Sequence, residues 1–292
     1  MFHVKQSFLA LFLILSTLCA KADCLWIIGE ATPYGWDTDK ATALLSAPDS
    51  REYNGTIYLK AGQDFKFMTV PDWGNPEYGA APGASLVDGV ISLSKGTDDS
   101  GYGKLQVAEN GNYSITVNTD AMTATIVKSE YQDTEITMCS LFLVGSATAG
   151  GWDVMAGTPL YQNAGKPYEF NAENLSLEAG TFKIATALKG ACSWNPEYWY
   201  FRDAAAENKI AKAQDGDIQW NIADKGKYSI EVNVIDNSIA ITPDNSSSVS
   251  SVIGDSEQVN EYYTLTGVRV SAPKAGAYIC KNGKTAKIII IK

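Results

Sequence analysis

The chain of 292 residues carries 33 Asp and Glu against 23 Lys and Arg, a net charge of −10 and a pI near 4.7. A surface of that sign repels phosphate backbones and anionic membranes, which argues against nucleic acid or an acidic polymer as ligand and leaves a neutral one. The only histidine is His3, so the rest of the chain has no Ser-His-Asp or Cys-His nucleophile system and no histidine metal site.

Residues 1–22 place Lys5 before an apolar run over 8–15 and end in Ala20-Lys21-Ala22, which reads as a secretory signal. The run is too short to span a bilayer comfortably, and no later stretch approaches the needed length. Cys19 follows Leu18 and Cys24 follows Asp23, whereas a lipoprotein signal sets a small residue before its cysteine. An exported chain, secreted or held at the cell surface, is expected. Beyond the signal the charge is uneven: residues 23–244 hold 15 basic and 30 acidic residues, and residues 245–292 hold 6 and 3. Cys24, Cys139, Cys192 and Cys280 survive processing. The compartment permits bridges, but the spacing assigns none and matches no metal site. No metal or cofactor is expected.

From residue 29 the chain repeats itself. Gly29-Glu30-Ala31-Thr32-Pro33-Tyr34-Gly35-Trp36-Asp37 returns 116 positions later as Gly145-Ser146-Ala147-Thr148-Ala149-Gly150-Gly151-Trp152-Asp153. Phe65-Lys66-Phe67 is answered by Phe182-Lys183-Ile184, and Trp73-Gly74-Asn75-Pro76-Glu77-Tyr78 by Trp194-Asn195-Pro196-Glu197-Tyr198. Gly111-Asn112-Tyr113-Ser114 is answered by Gly226-Lys227-Tyr228-Ser229. Four blocks in fixed order mean a duplicated domain, with loops of unequal length between blocks. In the first copy, strands are predicted at 25–29, 55–59, 64–69, 111–117 and 123–127. In the second they fall at 141–145, 173–177, 181–186, 218–222, 227–232 and 239–242. The alternation Tyr113-Ser114-Ile115-Thr116-Val117 marks a strand with one wet face. Short strands of this density, with a turn at 204–209 the only helical hint, indicate all-β architecture: two tandem immunoglobulin-like β-sandwiches over 23–129 and 140–243. The polar segment 130–138 joins them, and a serine-rich linker over 244–256 follows. Residues 257–292 form a small C-terminal β-module closing on a hairpin through Asn282-Gly283.

Each repeat offers two tryptophans at turns, Trp36 with Trp73 and Trp152 with Trp194. An exposed indole presents a stiff apolar face on which a pyranose ring can pack, while its hydroxyls need donors around the edge. Lys66 and Lys183 supply such a donor beside each pair, alternating with core aromatics on their strands; Asn75, Asn195 and Arg202 are further candidates. The competing readings are core or loop packing for the tryptophans, plain solvation for the lysines, and a stabilised turn for Asn-Pro-Glu-Tyr. Trp26 and Trp220 lie in apolar strand patterns and read as core; Trp199 could belong to either class. The carboxylate pairs Asp37 with Asp39, Asp72 with Glu77, and Asp98 with Asp99 invite a glycosidase test, but nothing in an acidic sequence selects one pair. Asp215-Gly216-Asp217 lacks the other ligands of a calcium loop.

Gly-x-Ala-Thr-x-x-Gly-Trp-Asp, then Phe-Lys-Phe, then Trp, resembles the SusE/SusF family of Bacteroidetes outer-membrane starch-binding proteins, over about residues 24–243. The resemblance implies non-catalytic sandwich modules that hold α-glucan on aromatic pairs. It places Trp36, Lys66 and Trp73 in one site, and Trp152, Lys183, Trp194 and Arg202 in the other. Repeat one has no arginine matching Arg202. The resemblance also suggests outer-membrane glycan-uptake or glycan-degrading proteins as partners. The tail, with Leu265-x-Gly267-x-x-Val270 and a lysine-rich closing strand, is similar to the C-terminal sorting domains of type IX secretion, with a plain terminal hairpin as its alternative. The expectation is therefore a secreted or cell-surface, non-catalytic carbohydrate-binding protein. Its rivals are an adhesive surface protein without sugar binding and an unrecognised enzyme.

Overall fold

The computed structural model describes residues 23–48, 50–186, 194–212, 216–244, 261–264, 269–270, 273–282 and 285–291. The expected signal segment and nearly all of the serine-rich linker lie outside them. The described chain is strand and turn, with two short 3-10 turns at Val154–Ala156 and Pro196–Tyr198.

The first module contains β1 (Cys24–Ile28), β2 (Thr42–Ser46), β3 (Glu52–Leu59), β4 (Lys66–Met68), β5 (Glu77–Ala80), β6 (Val90–Gly96), β7 (Gly111–Asn118) and β8 (Thr123–Lys128). Every pairing is antiparallel, and the order β1-β2-β3-β7-β8-β6-β5-β4 closes on itself. The all-β class expected from the sequence forms here as a ring with no free sheet edge. On β7, Tyr113, Ile115 and Val117 enter the core while Ser114 and Thr116 face outward.

The second module contains β9 (Ser140–Val144), β10 (Thr158–Gln162), β11 (Glu169–Leu177), β12 (Gly180–Ala185), β13 (Trp199–Arg202), β14 (Ile210–Lys212), β15 (Trp220–Ile222), β16 (Gly226–Asn233) and β17 (Ser238–Pro243). Its order, β14-β13-β12-β9-β10-β11-β16-β17, repeats that of the first module strand for strand. An isolated bridge between Lys209 and Ser238, with Ile210 N donating to Asn237 O at 3.0 Å, draws the two edges together where β6 and β8 pair in the first copy. Strands β2, β5, β6, β10, β13 and β14 went unread in the sequence. Some are only three or four residues long, and β5 and β13 open straight out of the Asn-Pro turns.

Segment 130–138 is more than a polar connection. Ile136 and Met138 are buried, and the Asn112 side chain donates to Tyr131 O and Thr134 O and accepts from Ile136 N. The outward faces of β1, β2 and β4 meet those of β9, β12 and β13 in a common cluster: Trp26, Ile28, Leu45 and Met68 from one module, Phe142, Val144, Trp199 and Phe201 from the other. Gln162 reaches across to donate to Thr56 O (3.0 Å) and accept from Thr56 N (2.6 Å), and Cys139 N donates to Thr42 Oγ1 (2.8 Å). The described residues up to Asp244 accordingly make one compact unit.

The tail is a second unit. Strands β18 (Glu261–Tyr263), β19 (Arg269–Val270), β20 (Gly276–Asn282) and β21 (Thr285–Ile291) form one sheet in the order β19-β18-β20-β21. The antiparallel β20–β21 hairpin forms where the sequence placed it; its Gly283 lies outside the described residues.

Candidate glycan-binding site

The Gly-Trp-Asp loops are built alike in both copies. Gly29 N donates to Gly35 O (3.1 Å) and Gly145 N to Gly151 O (2.8 Å), while Thr32 and Thr148 each return a hydroxyl to the first glycine's carbonyl at 2.9 Å. A Cβ on Gly29 would lie 2.3 Å from Asp64 O, and one on Gly145 would lie 2.2 Å from Thr181 O, so the loop can approach the neighbouring strand only through glycine. Gly35 and Gly151 take φ of +63° and +56°, the left-handed bend that turns the following tryptophan outward. The aspartates close the turn that follows: Asp37 accepts from Asp39 N, and Asp153 caps the 3-10 turn through Met155 N.

The second tryptophan of each pair sits on a turn held by asparagine. Asn75 donates to Asp72 O and Trp73 O, and Asn195 accepts from Glu197 N at the start of its 3-10 turn. These asparagines shape the turn, as the alternative reading of Asn-Pro-Glu-Tyr had it. Trp36 and Trp73 then stand 6.5 Å apart at 42°, and Trp152 and Trp194 stand 6.4 Å apart at 41°. Trp73, Trp194 and Trp152 are 49 %, 48 % and 36 % exposed, and Trp36 leans on the shared cluster. Trp26 and Trp220 are core, as their strand patterns indicated. Trp199 is buried and stacks beneath Trp194 at 5.3 Å and 26°.

Both lysines lie under their pair. Lys66 Nζ is 4.9 Å from the Trp73 ring and 5.7 Å from Trp36; Lys183 Nζ is 5.2 Å from Trp194 and 5.9 Å from Trp152. They alternate with Phe67 and with Phe182 and Ile184, which enter the two cores. Neither is a solvated surface lysine, since both are buried.

Around the lysines the modules part company. Lys66 Nζ meets Glu77 Oε1 (2.7 Å), Asp99 Oδ1 (2.7 Å) and Tyr102 OH (3.2 Å), which uses all three of its hydrogens. Tyr102 also bonds Glu77, and Lys104 pairs with Asp99 and lies 5.2 Å from the Trp36 ring. Burial pulls the Lys66 ammonium down, but hydrogen bonds to Asp99 and Glu77 outweigh it and the net direction is up. Lys104 and then Lys66 hold the Asp99 carboxyl far below the usual carboxylate range. Burial first, then Glu77 and Asp99, push the Tyr102 phenol up. Lys183 has one acceptor among the described residues, Asp217 Oδ1 at 3.0 Å, and its other surroundings are rings: Trp199 at 4.3 Å and Phe201 at 5.2 Å.

Strand register explains the difference and corrects the block alignment. Met68 pairs with Glu77 in the first copy, and Ala185, its equivalent, pairs with Trp199 in the second. Glu77 therefore corresponds to Trp199, although the Asn-Pro-Glu-Tyr blocks align it with Glu197. The 3-10 turn delays the second strand by two residues. By the same logic Ala80 N donates to Gly103 O where Arg202 N donates to Ile218 O, so Tyr102 corresponds to Asp217 and Lys104 to Gln219.

Arg202 stands apart. Alternation along β13 puts Trp199 and Phe201 beneath the platform and Tyr200 and Arg202 on the opposite face, and the guanidinium donates to Gln219 O (3.1 Å) and Asp203 O (3.3 Å). The structure brings Trp36, Lys66 and Trp73 together, and Trp152, Lys183 and Trp194, but it does not bring Arg202 to them. Tyr102 and Lys104 in one site carried no signal in the sequence, while Asp99, Asp217 and Trp199 were visible only as a carboxylate pair, a calcium-loop fragment and a tryptophan open to either class. Only register could have placed them. Among the described residues no cluster of three metal-binding side chains occurs, and no helix is long and apolar enough to cross a membrane.

These sites can be set beside known proteins. Residues 24–126 match the family model of the SusF/SusE starch specific CBMs. The SusF/SusE match spans the first module, and the second is tied to it by the shared strand order and tryptophan geometry. No curated protein matches the chain. Among solved structures, SusF from Bacteroides thetaiotaomicron is similar at 20% identity over 75% of this chain and 47% of its own, with a TM-score of 0.30. The chain thus spans about half the length of that protein.

Proposed function

We propose that this chain is an exported, non-catalytic glycan-binding protein whose two tryptophan pairs hold a neutral polysaccharide, α-glucan of the starch type. The observation that carries the reading is the reproduction of one tilted indole pair over a buried lysine in two modules of diverged sequence. Planes inclined by about forty degrees make a shallow arc. A chain that bends from ring to ring, as α-linked glucose does, follows an arc; a flat ribbon prefers coplanar rings. The starch-specific family matched by residues 24–126 agrees, as does the acidic surface, which favours an uncharged ligand.

An enzymatic reading needs a carboxylic acid held protonated beside a second carboxylate. Among the described residues the carboxylate cluster at a platform runs the other way, since two lysines keep Asp99 ionised. Titration of the mature chain with amylopectin, with reducing-sugar release followed in parallel, tests the proposal. Binding without release is expected. Release would establish an enzyme, and the absence of binding to any glucan would favour the adhesin. The signal-like leader and the tail's resemblance to a sorting domain support a place at the outer membrane or cell surface, near glycan-uptake or glycan-degrading proteins.

A further inference from the structure

Between the modules lies a cavity of about 170 Å³ walled by Tyr34 and Lys40 of the first module, Met138 of the joining segment, and Glu197, Tyr198 and Lys212 of the second. Its walls come from the same two turns that carry the platforms. Tyr34 is in the Gly-Trp-Asp loop two residues before Trp36, and Glu197 and Tyr198 follow Trp194 in the Asn-Pro turn. The volume is well under the roughly 300 Å³ at which drug-sized pockets begin, so it suits one small ring. Its chemistry is that of a sugar site: two phenols, two cationic donors and a carboxylate acceptor line it. Among the described residues Lys212 has no hydrogen-bond acceptor and lies 5.3 Å from the Tyr200 ring, while Lys40 reaches Asp37 only at 3.9 Å. Burial raises the Tyr198 phenol, and its hydrogen bond to Glu197 adds to this, so it stays a donor at any physiological pH.

We propose that this inter-module pocket is a third carbohydrate subsite, accepting one neutral hexose ring between Tyr34 and Tyr198, with its hydroxyls bonded by Lys40, Lys212 and Glu197. The proposal rests on the glycan reading of the platforms, and the shared cluster that fuses the modules is what lets a pocket persist between them. Methionine methyl NMR on the full mature chain separates the two claims. Met138 lines the pocket, Met155 lies in the turn after Trp152, and Met122 sits at the β7–β8 turn as a reference. On titration with maltose and maltoheptaose, both Met138 and Met155 should shift while Met122 stays still. Trp73→Ala with Trp194→Ala should leave the Met138 response to maltose in place. Tyr34→Ala and Lys212→Ala should each weaken that response at least about fivefold without moving the Met155 midpoint. A silent Met138 beside a shifting Met155 would overturn the third subsite and leave the platforms standing, as would a Met138 midpoint unchanged by the pocket substitutions. If Met155 also stays silent in the unsubstituted chain, the glucan reading fails and the subsite with it.

Discussion

Replacing Lys66 by methionine should unfold far more of the protein's stability than the same change at Lys183. The side chains of Lys66 and Glu77 are 2 % and 1 % exposed, so the substitution leaves a buried carboxylate with no counter-charge and only the Tyr102 hydroxyl as a partner. Breaking a pair of that kind costs about 3–5 kcal/mol, which for a unit of this size is about 10 °C in midpoint. Asp99 adds little, being mostly in water. Lys183→Met frees Asp217, whose side chain is 53 % exposed and rehydrates, so the loss should stay under about 1 kcal/mol. Binding should invert the order. Lys66 has no hydrogen left for a ligand, whereas among the described residues Lys183 meets only one acceptor, and losing one such bond costs about 0.5–1.5 kcal/mol. Urea or thermal denaturation, with titration of maltoheptaose at a temperature where each variant is folded, measures both. Adding Glu77→Leu to Lys66→Met should restore most of the lost stability, because an apolar pair needs no partner. Equal destabilisation by the two lysine substitutions, or no recovery in the double variant, would refute the account of the buried pair.

Trp194→Ala should weaken glucan binding by about 1–3 kcal/mol, by analogy with base–aromatic stacking, and leave the melting midpoint within a few degrees. Trp199→Ala, in the core beneath it, should instead cost about 3–5 kcal/mol of stability; a reversed pattern in calorimetry would show the platform to be misassigned. Arg202→Ala should leave glucan affinity within about twofold, and a tenfold loss by titration would bring the arginine back into the site. Affinity should change little between low and physiological salt, since the ligand is neutral; a steep fall would indicate an anion. The first module should lose a small part of its stability in acid: Asp99, though screened by water, is favoured ionised in the fold, a contribution present above the ordinary carboxylate pKa of about 4 and lost as pH falls below it. Tyr102 is favoured neutral, so alkali should erode stability once pH passes about 10. An Asp99→Asn chain whose acid denaturation profile matches the parent would contradict the first of these.

Much of this was legible because the blocks repeat. The block from Gly29 to Asp37 is readable since a Cβ on Gly29 would lie 2.3 Å from Asp64 O, Gly35 takes a positive φ, and a short acceptor at Asp37 closes the next turn. The lysines were readable from alternation. What surrounds them was not, because Glu77, Trp199, Tyr102 and Asp217 reach the site through strand pairing between segments of unequal length. Matching motifs put Glu77 opposite Glu197, and hydrogen bonding puts it opposite Trp199. Arg202 was assigned to the platform by family resemblance, and one step of alternation turns it away.

The fusion of the modules had a sequence signal that was passed over. Cys24-Leu25-Trp26-Ile27-Ile28 and Ser140-Leu141-Phe142-Leu143-Val144 are apolar at nearly every position, where a strand with one wet face alternates. Leu25 and Ile27 fill the first module's core and Leu141 and Leu143 the second's; Trp26, Ile28, Phe142 and Val144 have nowhere to go but each other. A lone module would leave that face in water as an apolar patch of the kind soluble monomers avoid. The lysines stand on the same outward face, Lys66 paired across from Ile28 and Lys183 from Val144, so each platform grows from the rim of the shared cluster. The two sites are therefore not beads on a string whose cooperation depends on linker length. Their spacing is fixed by packing, and a polysaccharide that engages both must match that spacing or forgo the second site.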